Sequence, residues 1–351
     1  MPALPQEVVA PAAGIRPGSV WLLALLLLFA GGCARSVERS RVVWPPPPES
    51  PRFEYIGCFS SPLDLQPRKN SLLKRISEGD ASGHLLAPFG ISELPDGNLL
   101  VVDQQARTIY RYDLERGKVS PLVGAKVLKQ PLDLAVGPEG TIYVADGKRI
   151  LKLDQVGRIL GTLGRGVLKH PSYLAYSRQR KLLYVSDSLA CRILVFAPDG
   201  TLVQSFGSRG TGPGELFSPQ GLALDEQGRI YVADFFNARI AIFDGDGQYL
   251  RQIGRRGGEP WNFSGPRDLA FDSEGHLHVL DSRKHALMSF NREGRLLLVI
   301  GGGPTVHPLG FGLPTAIWID GNDRFFISER YNSRVSIWQY LNPAYLARNP
   351  L

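Results

Sequence analysis

Residues 218–254 read SPQGLALDEQGRIYVADFFNARIAIFDGDGQYLRQIG. Four short apolar runs, GLAL, RIYVA, RIAIF and QYLRQI, are separated by Asp225-Glu226-Gln227-Gly228, by Asp234 to Asn237, and by Asp244-Gly245-Asp246-Gly247. Short runs of β-branched, aromatic and aliphatic residues bounded by Gly and Asp turns predict strands. Tight connections make consecutive strands antiparallel neighbours. The segment reads as a four-stranded meander.

The unit recurs. The residue after the second run is Asp103, Asp146, Asp187, Asp234, Asp281 and Glu329 in turn, at spacings of 43, 41, 47, 47 and 48. A proline opens each unit at Pro88, Pro131, Pro171, Pro219, Pro266 and Pro314. Self-similarity at this period, with four strands per unit, predicts an all-β propeller with one blade per unit. Blades pack face to face, which explains continuous apolar runs such as Leu99–Val102 where a half-exposed strand would alternate. The pattern P-x-G-[LI]-A-x-D-x-x-G-x-I-Y-V-A-D-x-x-N-x-R-I-x-x-F resembles the NHL repeat. Residues 218–254 match it nearly position by position, and blades 1, 5 and 6 more loosely. The resemblance covers 51–341 and implies a six-bladed propeller, a fold that hosts many functions. The sixth unit ends after its third strand, Arg334–Tyr340, while Arg52–Gly57 resembles Gln248–Gly254. The N-terminal strand is therefore expected to complete the last blade and pair its open edge.

Ahead of the propeller, the apolar run Val20–Ala30 is followed by Gly31-Gly32-Cys33. The run is short for a bilayer span and small residues follow it, so residues 1–32 read as a secretory signal. Small residues before a cysteine resemble the lipobox of bacterial lipoproteins. That resemblance implies cleavage before Cys33, lipidation of its sulfur, and anchoring in the cell envelope. Ala34 favours the outer membrane if the cell has two. Residues 33–50, with four consecutive prolines, are expected to be a tether stiffened by polyproline II. Residues 60–87 form a long inter-blade insertion, read as a surface flap with a short helix at 70–76. Residues 342–351 are a tail. Cys58 and Cys191 fall in opposite blades, too far apart for a bridge, so no disulfide framework is expected.

In such a meander, the connections between strands 1–2 and 3–4 share one face. The 2–3 and blade-to-blade loops share the other. The first set is short turn chemistry; the second is longer, more varied and richer in aromatics, and so is the expected working face. Its loops carry Arg255, Arg256, Arg283 and Lys284, with Phe235, Phe236 and Trp261 as apolar anchors, while the turns of the opposite face are rich in Asp and Glu. The net charge of +7 survives loss of the leader, whose Arg16 and Glu7 cancel. A one-sided basic field concentrates anionic partners. The expected function is thus a lipid-anchored, extracytoplasmic binding scaffold for an acidic protein or an anionic polymer, monomeric and not directed at nucleic acid. The clasp strand is expected to enter from the acidic face and to leave the anchor there.

An enzyme is the alternative. Some similar six-bladed propellers are metal-dependent lyases or lactonases with residues at the channel mouth, here Asp133, Gln220, Arg267 and Asp268. Lyases resembling this repeat place histidine just after the blade-opening proline. This chain has Phe89, Leu132, Ser172, Gln220, Arg267 and Thr315 there. His84, His170, His285 and His307 are the remaining candidates for zinc. Asp133 and Asp268 face each other across the axis, where they suit either a cation or a cap on their own blade. The second-strand acids repeat in every blade, which points to a structural hydrogen bond. No G-x-S-x-G, H-E-x-x-H or P-loop pattern is present, and neither metal nor cofactor is expected.

Overall fold

The computed structural model describes residues 41–65, 83–303, 305–307 and 309–350. The leader, Cys33 and the expected helix at 70–76 lie outside them. Six antiparallel sheets follow one another in the chain. Blade 4 shows the pattern: Pro219–Leu224 innermost, then Ile230–Asp234, Arg239–Phe243 and Tyr249–Ile253 outermost. Burial falls outward, as stacked blades require. The second and third strands of blade 4 are buried at every position, whereas the outer strand alternates. The large apolar clusters are each shared by two neighbours, for instance Ile240 and Ile242 of blade 4 with Leu269 and Val279 of blade 5. Blade-to-blade packing is therefore the core.

Local chemistry sets the blade geometry. Every inner strand slips register just after its opening proline, between Pro219 and Leu222 in blade 4, because proline has no N–H for the ladder. The 1–2 and 3–4 turns rest on Asp side chains. Asp225 accepts from the amides of Gln227 and Arg229 at 3.0 and 2.9 Å, and Asp244 from those of Asp246 and Gln248. Gly228 follows in the left-handed region, at φ +75°, which glycine enters without strain. The acids that end the second strands are buried and hold the incoming inter-blade loop. Asp146 accepts from the amides of Lys129 and Gln130, Asp234 from Phe217, Asp281 from Ser264, and Glu329 from Gly312. Asp146, Asp234 and Glu329 also pair with Arg149, Arg239 and Arg334.

The ring closes as the repeat arithmetic requires. Strand β2 (Phe53–Phe59) pairs antiparallel with Arg334–Tyr340 and completes blade 6. One element corrects the expected tether. Val42–Trp44 forms strand β1, a fifth strand on the outer edge of β2, with Val42 opposite Tyr55 and Trp44 opposite Phe53. Trp44 Nε1 donates to the Val299 carbonyl of blade 5 at 2.8 Å, so this stretch is stapled to two blades. The prolines reverse the chain on the turn face. Arg41 consequently sits part-way up the outer edge of blade 6, bound to Glu54, and not on the turn face where the clasp was expected to leave. Three residues in a proline-rich segment carry too little periodicity to announce a strand. Cys58 is exposed and Cys191 buried, and neither is in a disulfide. Among the described residues no helix is long and apolar enough to cross a membrane.

Candidate functional site

The loop face carries basic residues on most of its connections: Arg107, Lys129, Lys169, Arg209, Arg255, Arg256, Arg283 and Arg330. Its acids among the described residues, outside the buried strand ends, are Asp64, Glu215 and Glu259. The first two are spent inside their own loops, Asp64 on Ser60 and Ser61, Glu215 on the Gly212 amide. The opposite face is rich in Asp because its turns need Asx acceptors. Part of that charge is neutralised in place by Arg229 on Asp225 and Arg324 on Asp320.

Between blades 3 and 5 the loop face is organised as an alternating stack of arginines and rings. Arg209 lies over Phe217 at 5.1 Å, Phe217 packs on Phe236 at 5.0 Å, and Phe236 on Phe235 at 5.1 Å. Arg283 covers Phe235 and Phe236 at 4.8 and 5.8 Å. Arg267 bridges inward, 5.5 Å from both Phe235 and Phe89. The stack ends on the axis, where Phe89 meets Tyr173 at 5.7 Å and Tyr173 donates to the Thr315 carbonyl at 2.6 Å. A guanidinium resting on a ring is held by cation–π attraction, while its N–H edges stay available for a carboxylate or phosphate.

The expected partner-binding residues are largely brought together. Phe235, Phe236 and Arg283 are in direct contact, and Arg256 donates to the Phe236 carbonyl at 2.7 Å. Phe236 remains 42% exposed and Trp261 50%. Trp261 stands on the neighbouring loop and enters none of these stacks. Arg255 is exposed. Lys284 has a structural duty, since its ammonium donates to the Asn262 and Glu259 carbonyls at 2.6 and 3.4 Å and braces that loop. Phe89 and Phe217 complete the stack with Arg209 and escaped the sequence reading of aromatic anchors. Phe217 sits two positions before the blade-4 proline, and that proximity to the 2–3 loop of its own blade was the available signal.

The channel-mouth residues are placed differently from expectation. Phe89, Leu132 and Tyr173 pack against one another on the axis and fill the mouth at the loop face. Asp133 and Asp268 lie beneath this plug, buried, and reach beyond their own blades. Asp133 Oδ2 accepts from the Leu174 amide of blade 3 at 2.9 Å, and Asp268 Oδ2 from the Ile317 amide of blade 6 at 2.8 Å. Each carboxyl thus ties its blade to the next. Burial pushes Asp133 up to about 7. Burial, and then the charge of Asp133, pushes Asp268 well above the carboxylate range. Gln220 accepts from Arg267 Nη1 at 3.1 Å, so both serve the stack and not an open mouth.

A family model described as a 6-bladed beta-propeller matches residues 160–240 and 224–298. NHL repeat-containing protein 2 of Gallus gallus is 28% identical over 181 residues, 49% of this chain, which spans only 22% of that protein's length. The chain is a six-bladed propeller, and its repeats are similar to those of the NHL type.

Solved structures extend the fold and nothing finer. Virginiamycin B lyase from Staphylococcus aureus superposes with a TM-score of 0.55 at 14% identity, over 72% of this chain and 80% of that one. A gluconolactonase from Xanthomonas campestris gives 0.57 at 19% identity, over 73% and 86%. In this propeller His170, His285 and His307 are dispersed into loop duties. His170 Nδ1 meets Ser188 Oγ, His285 Nδ1 accepts from the Leu313 amide, and His307 Nδ1 from that of Leu309. Among the described residues the close trio of metal-ligating types is Asp272, Glu274 and His276, which lies on the turn face.

Proposed function

We propose that this chain is an exported, lipid-anchored binding propeller, anchored through Cys33, whose loop face docks an acidic protein or an anionic polymer. The observation that carries the reading is the arginine–aromatic stack from Arg209 to Tyr173. Stacked guanidinium groups are pre-organised, so little side-chain entropy is lost when they meet an anion. Exposed Phe236 and Trp261 beside them supply the aromatic contact typical of interface hot spots. The loop-side mouth, where the enzyme reading places its site, is filled by Phe89, Leu132 and Tyr173, which leaves the surface stack as the better-supported site.

The test compares the full chain with a variant carrying Arg255→Glu, Arg256→Glu and Arg283→Glu on polyglutamate and polygalacturonate matrices. Lys284 is kept because it braces the loop. The parent is retained at low salt and released as salt rises, and the variant passes through. Equal retention of both proteins rejects the loop face as the binding surface. Incorporation of a labelled fatty acid by the parent and its loss in Cys33→Ser checks the anchor.

A further inference from the structure

We propose that the axial cavity beneath the plug is a binding site for a small organic ammonium ion with an apolar body, entered from the turn face. The cavity measures about 600 Å³, a size that accommodates small-molecule ligands. Inner strands line it from the level of Asp133 and Asp268 to the 1–2 turns at Gln179, Asp225 and Gly321. With Phe89, Leu132 and Tyr173 across the loop end, it opens on the face opposite the arginine stack.

Its chemistry is one-sided. Asp133 and Asp268 come from blades three apart and face each other across the axis, each with Oδ2 spent on the next blade's amide. Glu93 stands on the wall with Trp318 Nε1 at 3.4 Å. Two polar atoms lining the cavity have no partner among the described residues, Ser92 Oγ and Tyr176 OH. Ser92 is only 2% exposed, and an unpaired buried hydroxyl is a cost that a donor or acceptor on a ligand removes. At the rim, Asp225 and Asp320 are engaged by Arg229 and Arg324 at 2.6 and 2.7 Å. Arg178 is the one basic residue of the lining, and Arg267 belongs to the stack on Phe89 at the plugged end. An anion entering the cavity meets carboxyl groups; an ammonium ion meets acceptors. The rings of Tyr176 and Trp318 suit a cation, and Leu134, Leu174, Leu222 and Ile317 give its body an apolar wall. Burial raises the pKa of both aspartates and of Glu93, so a bound cation draws out their ionised forms and protons leave as it enters.

Calorimetry on the full chain with cyclohexylamine, cyclohexanol and cyclohexanecarboxylate tests this, because the three share one body and differ in charge. The ammonium ion binds about tenfold or more tightly than the alcohol, and the carboxylate does not bind. Ammonium affinity rises between about pH 5 and about pH 8 while that of cyclohexanol stays level. Asp133→Asn with Asp268→Asn abolishes the preference, and the loop-face glutamate variant keeps it, which separates this site from the stack. Equal affinities, no binding by the amine, a pH-independent affinity, or a preference surviving in the double variant would each overturn the proposal. So would calcium binding that excludes the amine. The pH series uses the unaltered protein, so it decides the matter even if the double variant does not fold.

Discussion

At the residue scale, the two axial aspartates are held between neighbouring blades. A Cβ on Gly221 would collide with Asp268 Oδ1, and one on Gly90 with Asp133 Oδ1. The preceding blade thus offers a bare backbone to each carboxyl. Gly221→Ala is expected to destabilise by about 1–3 kcal/mol through overpacking, read as a shifted denaturant midpoint with an unchanged slope. The pH dependence has a definite sign. A pKa raised from 3.8 to about 7 in Asp133 means that the folded state prefers the protonated acid. That contribution is complete below the unfolded pKa and lost as pH rises through the folded value. Asp133→Asn keeps the acceptor for Leu174 without the charge. It should melt several degrees above the parent at about pH 8, with the gap closing towards about pH 5. A gap that stays constant with pH would show that the carboxyl does not titrate in this range.

At the element scale, the clasp holds the ring. Phe53 of β2 is fully buried, its ring 5.1 Å from Phe325 and 5.2 Å from Tyr340. Three positions further along the same strand, Ile56 is 52% exposed. Phe53→Ala is expected to cost about 3–5 kcal/mol, and Ile56→Ala within about 0.5 kcal/mol of nothing. Urea unfolding of the pair measures both. Strand β1 adds the Trp44 bond to blade 5, so Trp44→Ala should lower the melting temperature without opening the ring. Comparable losses in all three variants would mean that closure does not depend on β2.

At the scale of the whole molecule, charge and shape divide the propeller into two ends. The loop end is basic and carries the arginine–aromatic stack; the turn end is rich in acids and leads into the cavity. The two ends predict opposite ligand charges. Retention on an anionic matrix should fall steeply with salt, because exposed charges are screened within about 10 Å at 0.1 M. Amine binding in the buried cavity should respond much less to the same change. Parallel titrations of both ligands across a salt series check this, and identical salt slopes would place both ligands on the same exposed surface.

Blade number, the N-terminal closing strand, the turn chemistry and the structural role of the second-strand acids were legible in the sequence. Blades, turns and acids depend on residues a few positions apart, repeated six times, and the closing strand was legible because Arg52–Gly57 resembles Gln248–Gly254. Phe235, Phe236 and Arg283 of the stack were also legible as a list, whereas Phe89 and Phe217 were not. The contacts of the stack were not legible either, nor was the plug that closes the channel mouth. Tyr173 reaches the Thr315 carbonyl, and Thr315 Oγ1 reaches that of Pro88, across sequence separations of 142 and 227 residues. The fifth strand β1 and the cross-blade bonds of Asp133 and Asp268 are of the same kind. Local pattern determined that this chain makes blades and how many. Only closing the ring decided which side chains meet on the axis, because that depends on where distant blades place them.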